Sequence, residues 1–288
     1  MRQALTYGTF IIGLVVLSFA ACGGKSPSKK NINTTFEDPN ESDFSTLIWS
    51  DEFEGEGVIN PEKWFLQTQL PEGGSWWGLL QHYTNREENA YLKDGYLHVV
   101  AKKEEFEDQG ETKQYTSARL NSKFAFTYGK VEVRAKMPEG IGTWPAIWML
   151  SKKIDEDGAY WDKEYGVVKW PNCGEIDILE HWGKNQDYVS SALHNGSSYG
   201  YNVKNVGGQQ IKDASSEFHT YLLEWTEEKI VFSVDGIEHF RYNPQLKNQD
   251  TWPFDSDYYF IFNIAIESDI DPEFVESPMV VDYIRVYQ

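Results

Sequence analysis

Residues Glu175-Ile176-Asp177-Ile178-Leu179-Glu180 set three carboxylates among Ile and Leu, with Cys173-Gly174 before them and His181-Trp182 after. Acidic and aliphatic side chains alternate from 175 to 178, the period of two that marks a strand with one apolar face. Glu175 and Asp177 therefore share one face, and Ile176 and Ile178 pack behind it. Glu180 lies at an odd offset from Glu175 and would point the other way in a regular strand. One β-bulge near Ile178-Leu179 inserts the extra residue and returns Glu180 to the acidic face; bulges are common beside active sites. Three acids then stand in a row on one sheet.

An exposed edge strand with solvated acids is one reading, since charged residues are mostly exposed. Like charges on one strand face are destabilising, however, and no Lys or Arg lies between Trp170 and Lys184 to offset them. The surroundings are also richer in Trp than a solvated face needs. A metal site is a further reading, but His181 points away if Glu180 points toward the acids. Glycoside hydrolysis is the chemistry that wants two carboxylates at a short fixed distance, about 5–5.5 Å in retaining enzymes. A third acid between them can share a proton and hold the two pKa values apart.

Gly174-Glu175-Ile176-Asp177-Ile178-Leu179-Glu180 resembles the catalytic signature of glycoside hydrolase family sixteen, in the bulged form of its laminarinase-like members. A second match is Gly140-Ile141-Gly142-Thr143-Trp144-Pro145-Ala146-Ile147-Trp148-Met149-Leu150, and further matches run from about Ile48 to Gln288. The resemblance implies an all-β jelly-roll sandwich and a retaining endo-hydrolase of β-1,3- or mixed-linkage β-1,3/1,4-glucan. It also implies Glu175 as nucleophile, Asp177 as helper and Glu180 as general acid/base, with no cofactor for catalysis. A galactan hydrolase of the same family and a non-catalytic glycan-binding surface protein are the competing readings.

The chain has 288 residues and a formal net charge of −19, so duplex nucleic acid and anionic membrane surfaces are poor partners. A neutral polysaccharide is easier to accommodate than a sulfated one. Met1 to Cys22 reads as an export signal, with Arg2 at its start and an apolar run from Phe10 to Ala21 too short to span a bilayer. Ala20-Ala21-Cys22 resembles a bacterial lipobox, which implies lipidation of Cys22 and anchoring at the outer membrane; a plain secretory signal is the alternative. Residues 23–45 are polar without an apolar period and read as a flexible tether, leaving 46–288 as one catalytic domain, expected to be a monomer. Cys173 then has no partner for a disulfide, and reads as a buried small apolar residue.

Within that domain, Gly73-Gly74-Ser75-Trp76-Trp77-Gly78 is a glycine-rich loop whose tryptophans suit sugar binding better than core packing. Gln81-His82-Tyr83-Thr84 and Glu88-Asn89-Ala90 resemble the segment that lines the donor side of the cleft in relatives, which makes Asn89 a candidate contact. Asp94-Gly95 is a turn signal between two strand-like runs, so a hairpin is expected there. Arg119 matches an Arg that reaches sugar hydroxyls near the cleaved bond; a surface salt bridge is its other reading. Trp144 and Trp148 are four apart, which puts both on one face of a strand as a stacking platform, unless one of them serves the core. Residues from Ser151 to about Pro171 form a long loop into the catalytic strand, of the kind that shapes binding sites.

Tyr188 to His194 reads as the antiparallel neighbour of the acidic strand. His194 matches a His on the leaving-group side, beside Glu180, with a purely structural role as the alternative. Asn263 stands alone in an apolar run from Tyr259 to Ala265 and must find buried hydrogen-bond partners. By resemblance, a structural calcium would be held by Asp282 with backbone oxygens near Glu52 and Gly95; hard oxygen ligands suit that ion.

Overall fold

The computed structural model describes residues 44–288. Cys22, the export signal and nearly all of the tether lie outside these. The strands are β1 (Leu47–Asp51), β2 (Trp64–Leu66), β3 (Gln81–Tyr83), β4 (Ala90–Lys93), β5 (Tyr96–Asp108), β6 (Glu111–Ser117), β7 (Arg119–Phe126), β8 (Gly129–Lys136) and β9 (Thr143–Ser151). They continue with β10 (Glu175–His181), β11 (Tyr188–His194), β12 (Val206–Gln210), β13 (His219–Trp225), β14 (Ile230–Val234), β15 (Ile237–Tyr242), β16 (Tyr258–Ile266) and β17 (Glu276–Tyr287). One four-residue helix, α1 (Asp162–Tyr165), lies in the long segment before β10.

Two sheets carry the fold. The larger has ten strands along the path β15-β14-β13-β8-β17-β5-β6-β3, with β1 added on β17 and β4 on β5. The smaller runs β12-β11-β10-β9-β16-β7-β2. Their inner faces meet in one core: Ile147, Met149, Ile176, Leu193 and Phe262 from the smaller sheet pack with Leu97, Val131, Val133, Leu223 and Ile284 from the larger. This is the expected all-β sandwich. Each such side chain contributes about 1.5–3 kcal/mol on burial. Register is therefore fixed by the core, because a one-residue slip of β10 would exchange Ile176 for Asp177 on the inner face.

Local sequence explains the elements. β8 alternates buried and half-buried along its whole length, as its pattern demands. Asp94 and Gly95 both take positive φ, 55° and 78°, the turn that closes a two-residue hairpin between β4 and β5. The segment between β9 and β10 folds over the outer face of the smaller sheet. There Leu150, Tyr259 and Ile261 point away from the core and would lie bare, but Ile154 and Cys173 cover them with flanking Trp148, Trp161 and Trp170. Cys173 is thus the small apolar filler expected. Gly174 admits β10 to this position: a Cβ on it would come within 2.1 Å of the Tyr258 hydroxyl.

Candidate active site

The outer face of the smaller sheet carries the acids. Glu175 pairs with His194 on β11 and Leu150 on β9; Asp177 pairs with Ala192 and Trp148; Glu180 pairs with Ser190 and Ala146. The register shifts between Asp177 and Glu180 on both sides, which is the expected bulge. Its cause is visible in burial: Ile178 and Leu179 both belong to the core, so Glu180 returns to the outer face beside Asp177. The bulge leaves the Ile178 carbonyl off the ladder, and Ser191 Oγ donates to it at 2.8 Å. His239 Nε2 lies 2.9 Å from the same hydroxyl and donates to it, closing a buried network. Nothing in the local sequence pointed to Ser191 or His239; only the pairing of β11 with the bulged strand reveals them.

Burial pushes Glu175, Asp177 and Glu180 each up to about 8. The charge of Asp177 adds to the rise at Glu175 and at Glu180, and Glu180 adds to that at Glu175. Two indole donors oppose the rise by favouring the ionised forms. Trp170 Nε1–H donates to Glu175 Oε2 at 2.9 Å, and Trp144 Nε1–H donates to Glu180 Oε1 at 3.1 Å. Partial burial and mutual repulsion thus raise all three carboxyls toward neutrality, where a general acid can keep its proton.

Trp144 and Trp148 do share the outer face, both half-buried. Trp148 Nε1–H donates to Asn263 Oδ1 at 2.7 Å, and Asn263 Nδ2–H donates to the Tyr83 hydroxyl at 3.1 Å. Asn263 therefore has its buried partners and sets the tilt of Trp148. Trp182, noted in the sequence only as a flanking residue, stacks on Trp144 with ring centroids 5.5 Å apart. At the Glu175 end, Trp77 and Tyr199 stand edge-on to Trp170, at 4.8 and 5.5 Å. Trp77 is 62% exposed.

Several expectations change. Trp76 is buried, with the Arg119 guanidinium 4.5 Å over its ring, so it is not an open sugar platform. Arg119 rises from β7, three strands from β10 and roughly 14 Å away at the usual strand spacing. It reaches back to lie 5.0 Å over Trp148 and is ion-paired to Glu156 at 2.8 Å, so its contact with the acids runs through Trp148. Asn89 is fully buried; its oxygen accepts from Thr84 and Arg86, and its amide donates to Val100 O and Thr116 Oγ1. It is a strut of the larger sheet and not a cleft residue. His194 is beside Glu175 and Asp177, with Nε2 at 3.5 and 3.2 Å from their carboxylates, not beside Glu180. The hairpin register, which sequence does not give, decides this.

The three positions offered for calcium lie on the larger sheet, away from the acids. The Glu52 carboxylate takes two bonds from Arg285, at 3.0 and 2.7 Å. Asp282 is paired with Arg134, and Gly95 sits in the β4–β5 turn. As arranged, the Asp282 side chain, the one carboxylate expected to bind the ion, serves the Arg134 guanidinium, while the Glu52 pairing engages its side chain and not the backbone oxygen expected there.

A bulged strand of three partly shielded carboxylates flanked by indoles on the outer face of a β-sandwich fits a glycoside hydrolase site, and comparison with known proteins specifies it. The family model described as glycosyl hydrolases family 16 matches residues 82–266, and the chain belongs to that family. It is 39% identical over 260 residues to a beta-glucanase of Rhodothermus marinus, covering 84% of this chain and 85% of that one. Among solved structures, LamA from Zobellia galactanivorans, in complex with laminaritriose and laminaritetraose, is 44% identical. It superposes with a TM-score of 0.79 over 85% of this chain and 100% of that one. The laminarinase of Rhodothermus marinus gives 0.72 at 38% identity, over 84% and 97%.

Proposed function

We propose that this chain is an endo-acting, configuration-retaining β-glucanase acting on β-1,3-glucan or mixed-linkage β-1,3/1,4-glucan. The observation that carries the reading is the row of Asp177, buried, between half-buried Glu175 and Glu180, on the face that also presents Trp144 and Trp148. The likeness to LamA, solved with laminari-oligosaccharides, supports the substrate class.

Glu180, protonated, gives its proton to the glycosidic oxygen as a Glu175 oxygen attacks the anomeric carbon, and the bond to the leaving sugar breaks. The leaving chain departs with a new hydroxyl, and the remaining sugar is held as an ester of Glu175. Glu180, now ionised, takes a proton from water while that water attacks the same carbon and releases Glu175. Two inversions give net retention. Asp177 stands between them, and its charge keeps a proton on Glu180 until the leaving oxygen needs it.

Reducing-sugar release from laminarin, barley mixed-linkage glucan, lichenan and agarose, compared side by side, tests the substrate. Release from laminarin or the mixed-linkage glucans but not agarose is expected. Release from agarose alone would overturn the substrate class.

We also propose that Cys22 is lipidated and tethers the enzyme to the outer membrane, on the strength of Ala20-Ala21-Cys22 closing the apolar run. Intact mass of membrane-extracted protein tests this; an unmodified Cys22 contradicts it. A calcium ion on Asp282 would require that side chain to leave Arg134, and would act on stability rather than chemistry; melting with calcium against chelator tests it.

A further inference from the structure

The two oxygens of the Glu175 carboxylate face two different ring N–H groups, and one short connection stands behind both. Trp170 Nε1–H donates to Oε2 at 2.9 Å. His194 Nε2 lies 3.5 Å from Oε1 and 3.2 Å from Asp177 Oδ2. The backbone N–H of Gly200 donates to His194 Nδ1 at 3.0 Å. A nitrogen that accepts carries no proton, so the imidazole proton is on Nε2 and points at the acids. Gly200 has φ of 61°, in the left-handed region where a glycine adapts without strain, and this aims its amide at the ring. Its neighbour Tyr199 stands edge-on to Trp170, with ring planes at 85°.

The connection is itself held. Asn195 Oδ1 accepts from the Ser197 and Ser198 amides and from Ser197 Oγ, and Ser198 Oγ accepts from Lys204 N at 2.7 Å. Resting on the reading of Glu175 as nucleophile, we propose that the connection from Asn195 to Asn202 is a positioning element for it. Gly200 fixes which nitrogen of His194 bears the proton, Tyr199 fixes the ring of Trp170, and the two N–H groups fix the carboxylate. Donors aimed at a carboxylate favour its ionised form. Around Glu175 they oppose the charges of Asp177 and Glu180 on its own strand; nearby Cys173 and Tyr258 have their pKa values pushed up and stay neutral, and its partner on β9, Leu150, is apolar. Glu175, Asp177 and His194 also offer three atoms within 4.8 Å of one another, the spacing of a divalent-ion site. A proton held on Nε2 keeps that nitrogen from ligating, so the same amide reserves the cluster for catalysis.

The test compares wild type, Trp170→Phe, Tyr199→Ala and Tyr199→Phe on laminarin, as kcat and KM from about pH 4 to about pH 9. Loss of one donor to a charged group is expected to lower kcat about 10–100-fold in Trp170→Phe. The acidic limb of its profile should move to higher pH, because the nucleophile ionises less readily without the indole. Tyr199→Ala should shift kcat and limb the same way by less, and Tyr199→Phe, which keeps the ring, should match wild type. A rise in KM alone, with the acidic limb unmoved, overturns the proposal and leaves Tyr199 and Trp170 as sugar platforms. A wild type that releases no sugar refutes the hydrolase reading instead. Long-range proton–nitrogen NMR, assigned with His194→Gln, decides the positioning element in that case too: a proton on Nε2 supports it, and one on Nδ1 overturns it.

Discussion

Glu180 stands opposite Ser190, although the pairing of Asp177 with Ala192 would bring it opposite Val189 in a regular ladder. This single displaced partner is the bulge, and it determines which face the general acid occupies. Ile178 and Leu179 both turn into the core to make the displacement, and Ser191 takes up the carbonyl that they leave unpaired.

Ser191→Ala orphans a buried carbonyl and the His239 ring nitrogen, at a cost of about 1–3 kcal/mol. We expect a melting temperature lower by several degrees and a kcat reduced more than KM is raised, since the bulge aims Glu180. Denaturant unfolding and steady-state kinetics on one preparation measure both. An unchanged kcat would show that the core alone holds the bulge.

The basic limb of kcat should report Glu180, pushed up to about 8 by burial and by Asp177. Activity falls as pH rises through this region because the acid loses its proton. Asp177→Asn removes the neighbouring charge, so Glu180 ionises more easily and the basic limb moves to lower pH. The profile of the variant against wild type checks the sign; movement to higher pH contradicts it.

The acids also act on folding. A carboxyl whose pKa is raised on folding binds more protons in the native state between its unfolded pKa and its folded one. The contribution of these acids to stability therefore falls with rising pH from roughly pH 4.3 up to about 8. Glu180→Gln removes one such group while keeping its shape. Its melting temperature should exceed that of wild type by several degrees at pH 8 and by little at pH 4.5. Equal gains at both pH values would assign the effect to something other than ionisation.

Asn263→Leu leaves the Trp148 indole N–H without its acceptor, and the ring is then free to tilt. KM for laminarin should rise about 3–30-fold with a smaller change in kcat, as expected for lost binding of ground and transition states alike. Isothermal titration of a laminari-oligosaccharide into a Glu175→Gln background separates this binding loss from chemistry.

Period-two alternation exposed the acids, the bulge and the strand from Tyr188 to His194, because a strand writes its two faces directly into the sequence. The hairpin at Asp94-Gly95 was equally legible, since few residues accept its backbone angles. The strand that carries His194 is legible, but the acid it faces is set by the β10–β11 register, which puts it opposite Glu175. Asn89 and Trp76 are hard to place from sequence for a related reason. A polar residue near a loop and a Trp between glycines look exposed until Thr116 and Arg119 arrive from distant strands to bond or cover them. Trp170 and Ser191 carry no local signature, and their roles arise only where the long segment and β11 meet the bulged strand.

Proton NMR of the anomeric signals during early laminarin hydrolysis, with wild type and Glu175→Gln in parallel, tests the central claim most directly. The account predicts that wild type first releases the β-anomer, which then mutarotates, while Glu175→Gln loses at least about three orders of magnitude in rate. First release of the α-anomer, or near-wild-type turnover by Glu175→Gln, would contradict it.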